Sequence, residues 1–221
     1  MKLLFNALIK FIFGLLLVGL LIFLPAGTLY YPCGWLFMAI LFIPILIAGI
    51  ILFIKAPELL KKRLDNKEKE ATQKVVVLLS ALVFLGGFIT AGLDYRFSWS
   101  AMPAHIIIIA AILFLASYGL YAEVMRENAY LSRTIKVSEN QKLVSTGLYG
   151  IVRHPMYAAT IIMFLMIPLI LGSWWSFLIF LAYPLIIVVR ILNEEKVLSA
   201  ELDGYEEYKQ KVKYRLIPFV W

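Results

Sequence analysis

YAATIIMFLMIPLILGSWWSFLIFLAYPLIIVV, residues Tyr157–Val189, contains no charged residue, and its one turn signal is Gly172-Ser173. A helix that crosses a bilayer needs about 20 mostly apolar residues. Tyr157–Leu171 nearly meets that length, and Trp174–Val189 follows after two residues. This stretch therefore predicts two membrane-spanning helices in a tight hairpin. The start of the first and the end of the second must then lie side by side, which brings His154 close to Glu194.

Four more runs qualify towards the N-terminus. Leu3–Leu24 is interrupted only by Asn6 and Lys10; Trp35–Ile54 and Val75–Leu93 are uncharged; Ala104–Ala122 contains one histidine. No small-residue cleavage site follows the first run, so it reads as a retained helix rather than a signal peptide. The expected fold is an all-α integral membrane protein of about six transmembrane helices, with a C-terminal amphipathic helix over part of Asn193–Trp221. Residues 1–132 form the N-terminal spans and loops, and 133–221 the core that carries the chemistry.

Composition agrees. The 221 residues are 62% hydrophobic and 16% charged, against roughly 45–50% and about 25% in soluble domains. That excludes a soluble globular domain, a disordered chain and a nucleic-acid-binding domain. One cysteine, Cys33, and two histidines, His105 and His154, leave no material for a disulfide framework or a His- or Cys-rich metal centre. The net charge of +7 is a matter of topology. With six spans, every lysine and arginine except Arg96 falls on one side. The positive-inside rule makes that side cytoplasmic, with both termini and the site on it, and anionic lipids as its neighbours.

The polar residues cluster late in the chain. Arg153-His154-Pro155-Met156-Tyr157 sits at the cytoplasmic mouth of the fifth span. Pro155 suits a first helical turn. With Arg153 and His154, the helix start makes an anion-binding corner. Arg190 and Glu194 lie four apart and share a helix face at the end of the sixth span. Gly147 and Gly150 allow a loop that wraps a small polar ligand. Elsewhere structural roles are expected. Lys55–Lys74 reads as a solvated helical loop. Cys33 is an inert residue and His105 an interfacial one of the outer side, Asp94 and Arg96 are a pair, and Gly86, Gly87, Ala91 and Gly92 permit close helix packing.

Tyr149-x-x-x-Arg153-His154-Pro155-x-Tyr157, then Glu194-Glu195, Gly204-Tyr205-Glu206-Glu207-Tyr208 and Ile217-Pro218-Phe219, resembles the isoprenylcysteine carboxyl methyltransferases, to which phospholipid-amine methylating enzymes are related. The resemblance covers Arg133–Trp221. It implies S-adenosylmethionine as cofactor. Gln141, Lys142, Leu143 and Val144 would line it through the main chain, and Tyr149 would lie against it. His154, Pro155, Met156 and Tyr157 would form the main binding segment, and Glu194 would hold a polar group. Arg190 would face the methyl acceptor, and Glu195 would be the base if that acceptor were an amine. The acceptor would be lipophilic and enter from the bilayer. Eukaryotic members often have histidine at the position of Gln141, and lipid-amine methylating members differ near Arg190, so the acceptor stays open. Two other readings compete. One is an NADPH-dependent membrane reductase of a sterol-like lipid, whose C-terminus would resemble Tyr214-Arg215-Leu216-Ile217-Pro218. The other is a non-catalytic membrane protein.

Overall fold

The computed structural model describes residues 2–64, 71–128, 130–131, 137 and 141–221. The boundary expected between residues 132 and 133 lies outside them. The described residues are helical, without strands. The order is α1 (Lys2–Ala26), α2 (Pro32–Lys55), α3 (Pro57–Leu64), α4 (Ala71–Phe97), α5 (Ala104–Glu127), a 3-10 turn (Gly147–Gly150), α6 (Pro155–Ile170), α7 (Trp174–Phe180), α8 (Ala182–Glu201) and α9 (Tyr205–Lys211).

Among the described residues, five helices are long and apolar enough to cross a membrane: α1, α2, α4, α5, and α7 with α8 taken together. The apolar α6 has 16 residues and falls short of that length. Between α7 and α8 the helix is interrupted at Leu181. Pro184 explains the break, because it has no N–H for the Phe180 carbonyl and its ring crowds that position. The outer faces of α1 and α2 are apolar, with Phe13, Leu20, Ile43 and Ile54 all more than half exposed. A soluble protein rarely shows so large a patch, whereas lipid would cover it.

Small residues let α4 take the centre of the bundle. A Cβ on Gly92 would stand 2.5 Å from the Ile22 carbonyl of α1, and one on Gly87 would stand 2.2 Å from the Phe180 ring of α7. The expectation of close packing along this stripe is met. Phe84 fills the adjoining space with edge-on contacts to Phe164, Phe180 and Tyr183. Asp94 departs from its expected pairing with Arg96. Its carboxylate is buried and accepts from the Ser100 backbone N–H (2.7 Å), the Ser100 hydroxyl (2.6 Å) and the Ser173 hydroxyl (2.5 Å). Ser173 in turn caps α7 through the Ser176 N–H. Asp94 thus ties the end of α4 to the start of α7, and Arg96 lies against Gly27 and the Phe97 ring.

The C-terminal segment differs from one continuous surface helix. The helix of the last span runs on to Glu201, and Gly204 takes a left-handed conformation (φ +79°). The chain then restarts as the seven-residue α9, whose Tyr205 and Tyr208 are buried. The mixed-charge stretch after α2 also differs. Within its described part, Leu60 is buried, Lys62 lies over the Tyr130 ring, and Arg63 lies over the Tyr121 ring. The basic loops gather at one end of the bundle through these contacts, and the candidate site sits there.

Candidate active site

The site begins with the 3-10 turn that precedes α6. Gly147 has φ +54°, and a Cβ there would overlap the Glu127 carboxylate. Only glycine allows that approach, and it lets Glu127 accept the Leu148 N–H at 3.0 Å. The turn delivers Tyr149 into the interior. Its hydroxyl accepts from the Asn128 side chain (3.0 Å), and its carbonyl accepts from the Tyr208 hydroxyl (2.7 Å). Burial first, then the nearby Glu194 and Glu127 charges, push this phenol up to about 12. It therefore remains protonated at neutral pH.

Arg153 and His154 follow. Their backbone N–H groups donate to the Tyr214 and Arg215 carbonyls, both at 2.9 Å. The Arg153 side chain reaches the Glu195 carboxylate at 2.7 Å and the Val212 and Lys213 carbonyls at 2.8 and 3.2 Å. His154 Nε2 lies 3.2 Å from the same Glu195 oxygen, and Arg215 Nε donates to the other at 2.9 Å. One buried carboxylate thus gathers three basic side chains and fastens the C-terminal segment across the start of α6. This corrects two expectations. Arg153 does not offer a free charge to an anion, because Glu195 and backbone carbonyls occupy it. Glu195, expected as a base for an amine acceptor, is 7% exposed and is not among the residues that line the cavity.

Pro155 opens α6, as its fixed φ favours. Two residues along, the Tyr157 hydroxyl accepts from Arg190 Nε at 2.8 Å and donates to Glu194 at 2.5 Å. The Arg190–Glu194 pair expected on one helix face is thus bridged by a phenol from α6. Arg190 Nη1 also donates to the Gln73 side-chain oxygen at 3.0 Å, and the Gln73 amide donates to Asn193 at 2.6 Å. Gln73 is fully buried. The four groups form one relay from α4 to α6 and α8.

These elements line one open-mouthed cavity. Its wall includes Gln141, Lys142, Leu143 and Val144 on one side. Tyr149, His154, Pro155, Met156 and Tyr157 form the floor of the same wall, and Arg190 and Glu194 close it from α8. Of the residues expected at the site, Glu195, Gly147 and Gly150 do not line the cavity. Asn128, Tyr205 and Tyr208 also line the cavity, and Gln73 supports it from behind. Nothing local in the sequence marks Gln73, which is one amide beside Lys74 at the start of an apolar run. Tyr205 belongs to a Gly-Tyr-Glu-Glu-Tyr run whose charge suggests the surface rather than the interior. Among the described residues, no group of three or more His, Cys, Asp or Glu side chains is placed to hold a metal.

Comparison with known proteins bears on the same region. A stretch of 91 residues, 40% of this chain, is 31% identical to the Delta(14)-sterol reductase of Mus musculus. The chain spans 22% of that protein's length. Residues 105–202 match the phospholipid methyltransferase family, which is related to the isoprenylcysteine carboxyl methyltransferases. That match, which takes in most of the cavity wall but not Gln73, Tyr205 or Tyr208, supports a membrane methyltransferase.

Proposed function

We propose that this chain is an integral-membrane, S-adenosylmethionine-dependent methyltransferase. Its acceptor is lipophilic, most like the carboxyl group of an isoprenylcysteine or a similar lipid-linked group. One observation carries the reading: a single cavity wall joins a carboxylate (Glu194), a guanidinium (Arg190) and two aromatic residues (Tyr149, Tyr157) with residues 141–144. These groups suit a ligand with an ammonium, hydroxyls, a flat base and a sulfonium. When bound, the cofactor supplies an electrophilic methyl group on sulfur. The protein's part is then placement, because in-line displacement gains most from fixed geometry.

The relay Gln73–Arg190–Tyr157–Glu194 performs that placement. It holds a cation for the acceptor and an anion for the cofactor within one helical turn. A carboxylate acceptor is already ionised at pH 7 and needs no base. The engagement of Glu195 by three basic side chains favours such an acceptor over an amine that must lose a proton. The gathering of basic loops around the cavity supports a cytoplasmic site by the positive-inside rule, with six spans and both termini on that side. Cofactor then enters from water and acceptor from lipid.

The test is transfer of labelled methyl from S-adenosylmethionine into the organic-soluble fraction of membranes carrying the protein. Transfer should appear with the wild type and be lost with Glu194→Gln. No label above that of protein-free membranes counts against the proposal. The sterol-reductase likeness favours a second reading, NADPH-dependent reduction of a sterol-like lipid. It predicts consumption of NADPH by the same membranes and no methyl transfer.

A further inference from the structure

Tyr205 is 3% exposed, lines the cavity, and has a buried hydroxyl with no hydrogen-bond partner among the described residues. Nearly all buried hydroxyls are paired, because an unpaired one has lost its water without replacement. The neighbouring tyrosines obey the rule: Tyr208 donates to the Tyr149 carbonyl, and Tyr149 accepts from Asn128. The Lys209 ammonium lies over the Tyr205 ring, 5.9 Å from its centre, and leaves the hydroxyl without a partner. Burial first, then the Glu195 and Glu194 charges, raise the affinity of this phenol for its proton. The hydroxyl is accordingly a donor at neutral pH.

The two carboxylates near it differ. Glu195 is saturated by Arg153, His154 and Arg215 and stands off the cavity. Glu194 lines the cavity, and among the described residues its one hydrogen bond comes from Tyr157. This end of the cavity therefore presents an unused donor beside an acceptor with spare capacity. An ammonium can only donate and a carboxylate can only accept, whereas a hydroxyl does both.

We infer that Tyr205 is a binding residue whose hydroxyl donates to a sugar-like hydroxyl of the bound molecule, which in turn donates to Glu194. The inference rests on the methyltransferase reading, in which that hydroxyl belongs to the ribose of the S-adenosyl cofactor. The ribose of NADPH offers the same chemistry, so the test has an arm for each.

Purified full-length protein, wild type and Tyr205→Phe, is titrated calorimetrically with S-adenosylhomocysteine, its 2′-deoxy and 3′-deoxy ribose analogues, and NADPH. Ligand-free melting is recorded alongside. Tyr205→Phe should melt at the wild-type temperature or above it, because the substitution removes an unpaired group. It should bind S-adenosylhomocysteine about five- to tenfold more weakly, the effect of one hydrogen bond. One deoxy analogue should show a similar loss on the wild type and little further loss on the variant. Equal S-adenosylhomocysteine affinity in both proteins overturns the role of Tyr205 and leaves the methyltransferase reading standing. Equal wild-type affinity for both deoxy analogues and the parent overturns it without any variant. Binding of NADPH alone overturns the functional reading; the role of Tyr205 then stands if Tyr205→Phe binds NADPH about five- to tenfold more weakly and falls if both proteins bind it equally. Binding of neither ligand overturns both.

Discussion

Glu195→Gln separates a structural carboxylate from a chemical one. The side chains of Glu195 and Arg153 are 8% and 6% exposed, and that of Arg215 is 29% exposed. Removing one partner of a buried ion pair costs about 3–5 kcal/mol, because the other charge stays buried. Glutamine is isosteric, and its oxygen can still accept from Arg153, which also keeps the Val212 and Lys213 carbonyls. Its NH₂ group then faces Arg215 Nε with the wrong polarity, because Arg153 and His154 share the other oxygen. We expect a net loss of about 2–4 kcal/mol, somewhat below that range because Arg153 keeps its partners. For a chain of this length, that lowers the melting temperature by roughly 5–10 °C. The loss should be local to the clasp. Limited proteolysis should cut within Tyr214–Trp221 sooner than in the wild type, and ligand affinity should fall as the Arg215 segment loosens from the His154 backbone. The assay is melting in detergent, with proteolysis and binding of S-adenosylhomocysteine in parallel. Unchanged melting and unchanged C-terminal protection, together with lost turnover, would refute the clasp and return Glu195 to the role of a base.

Gln73→Ala removes the side-chain oxygen that Arg190 Nη1 meets; turnover should fall at least tenfold while S-adenosylhomocysteine affinity stays within about twofold, as for a residue that aligns the acceptor only. Gly147→Ala places a side chain at φ +54° and into the Glu127 carboxylate. A left-handed alanine costs about 1–2 kcal/mol before that clash, so both melting temperature and ligand affinity should drop. Gly92→Ala puts a methyl 2.5 Å from the Ile22 carbonyl at the opposite end of α4. Overpacking there should cost about 1–3 kcal/mol in melting, yet leave ligand affinity of the folded protein unchanged.

The spans were legible because hydrocarbon imposes one rule, a long uncharged run, and α1, α2, α4 and α5 fall where the apolar runs lie. Each extends beyond its run at one or both ends, since a helix does not stop where hydrophobicity does. The cavity wall was legible too, because Tyr149 to Tyr157 is almost continuous in sequence and Arg190 and Glu194 share a face. Glu195 was not. Neighbouring helix residues point about 100° apart at 3.6 residues per turn, so only one of Glu194 and Glu195 can face the cavity. Packing against α6 and the C-terminal segment decides which one. The interior position of Tyr205 depends on the left-handed turn at Gly204, which turns α9 inwards. Gln73 is silent because its partners lie more than a hundred residues away in the chain.

The central claim is tested most directly by titrating the purified protein with S-adenosylhomocysteine and, separately, with NADPH. The account predicts saturable, micromolar, one-to-one binding of the first, weakened by both Glu194→Gln and His154→Ala, and no binding of the second. Binding of NADPH alone, or S-adenosylhomocysteine affinity indifferent to both substitutions, would contradict it.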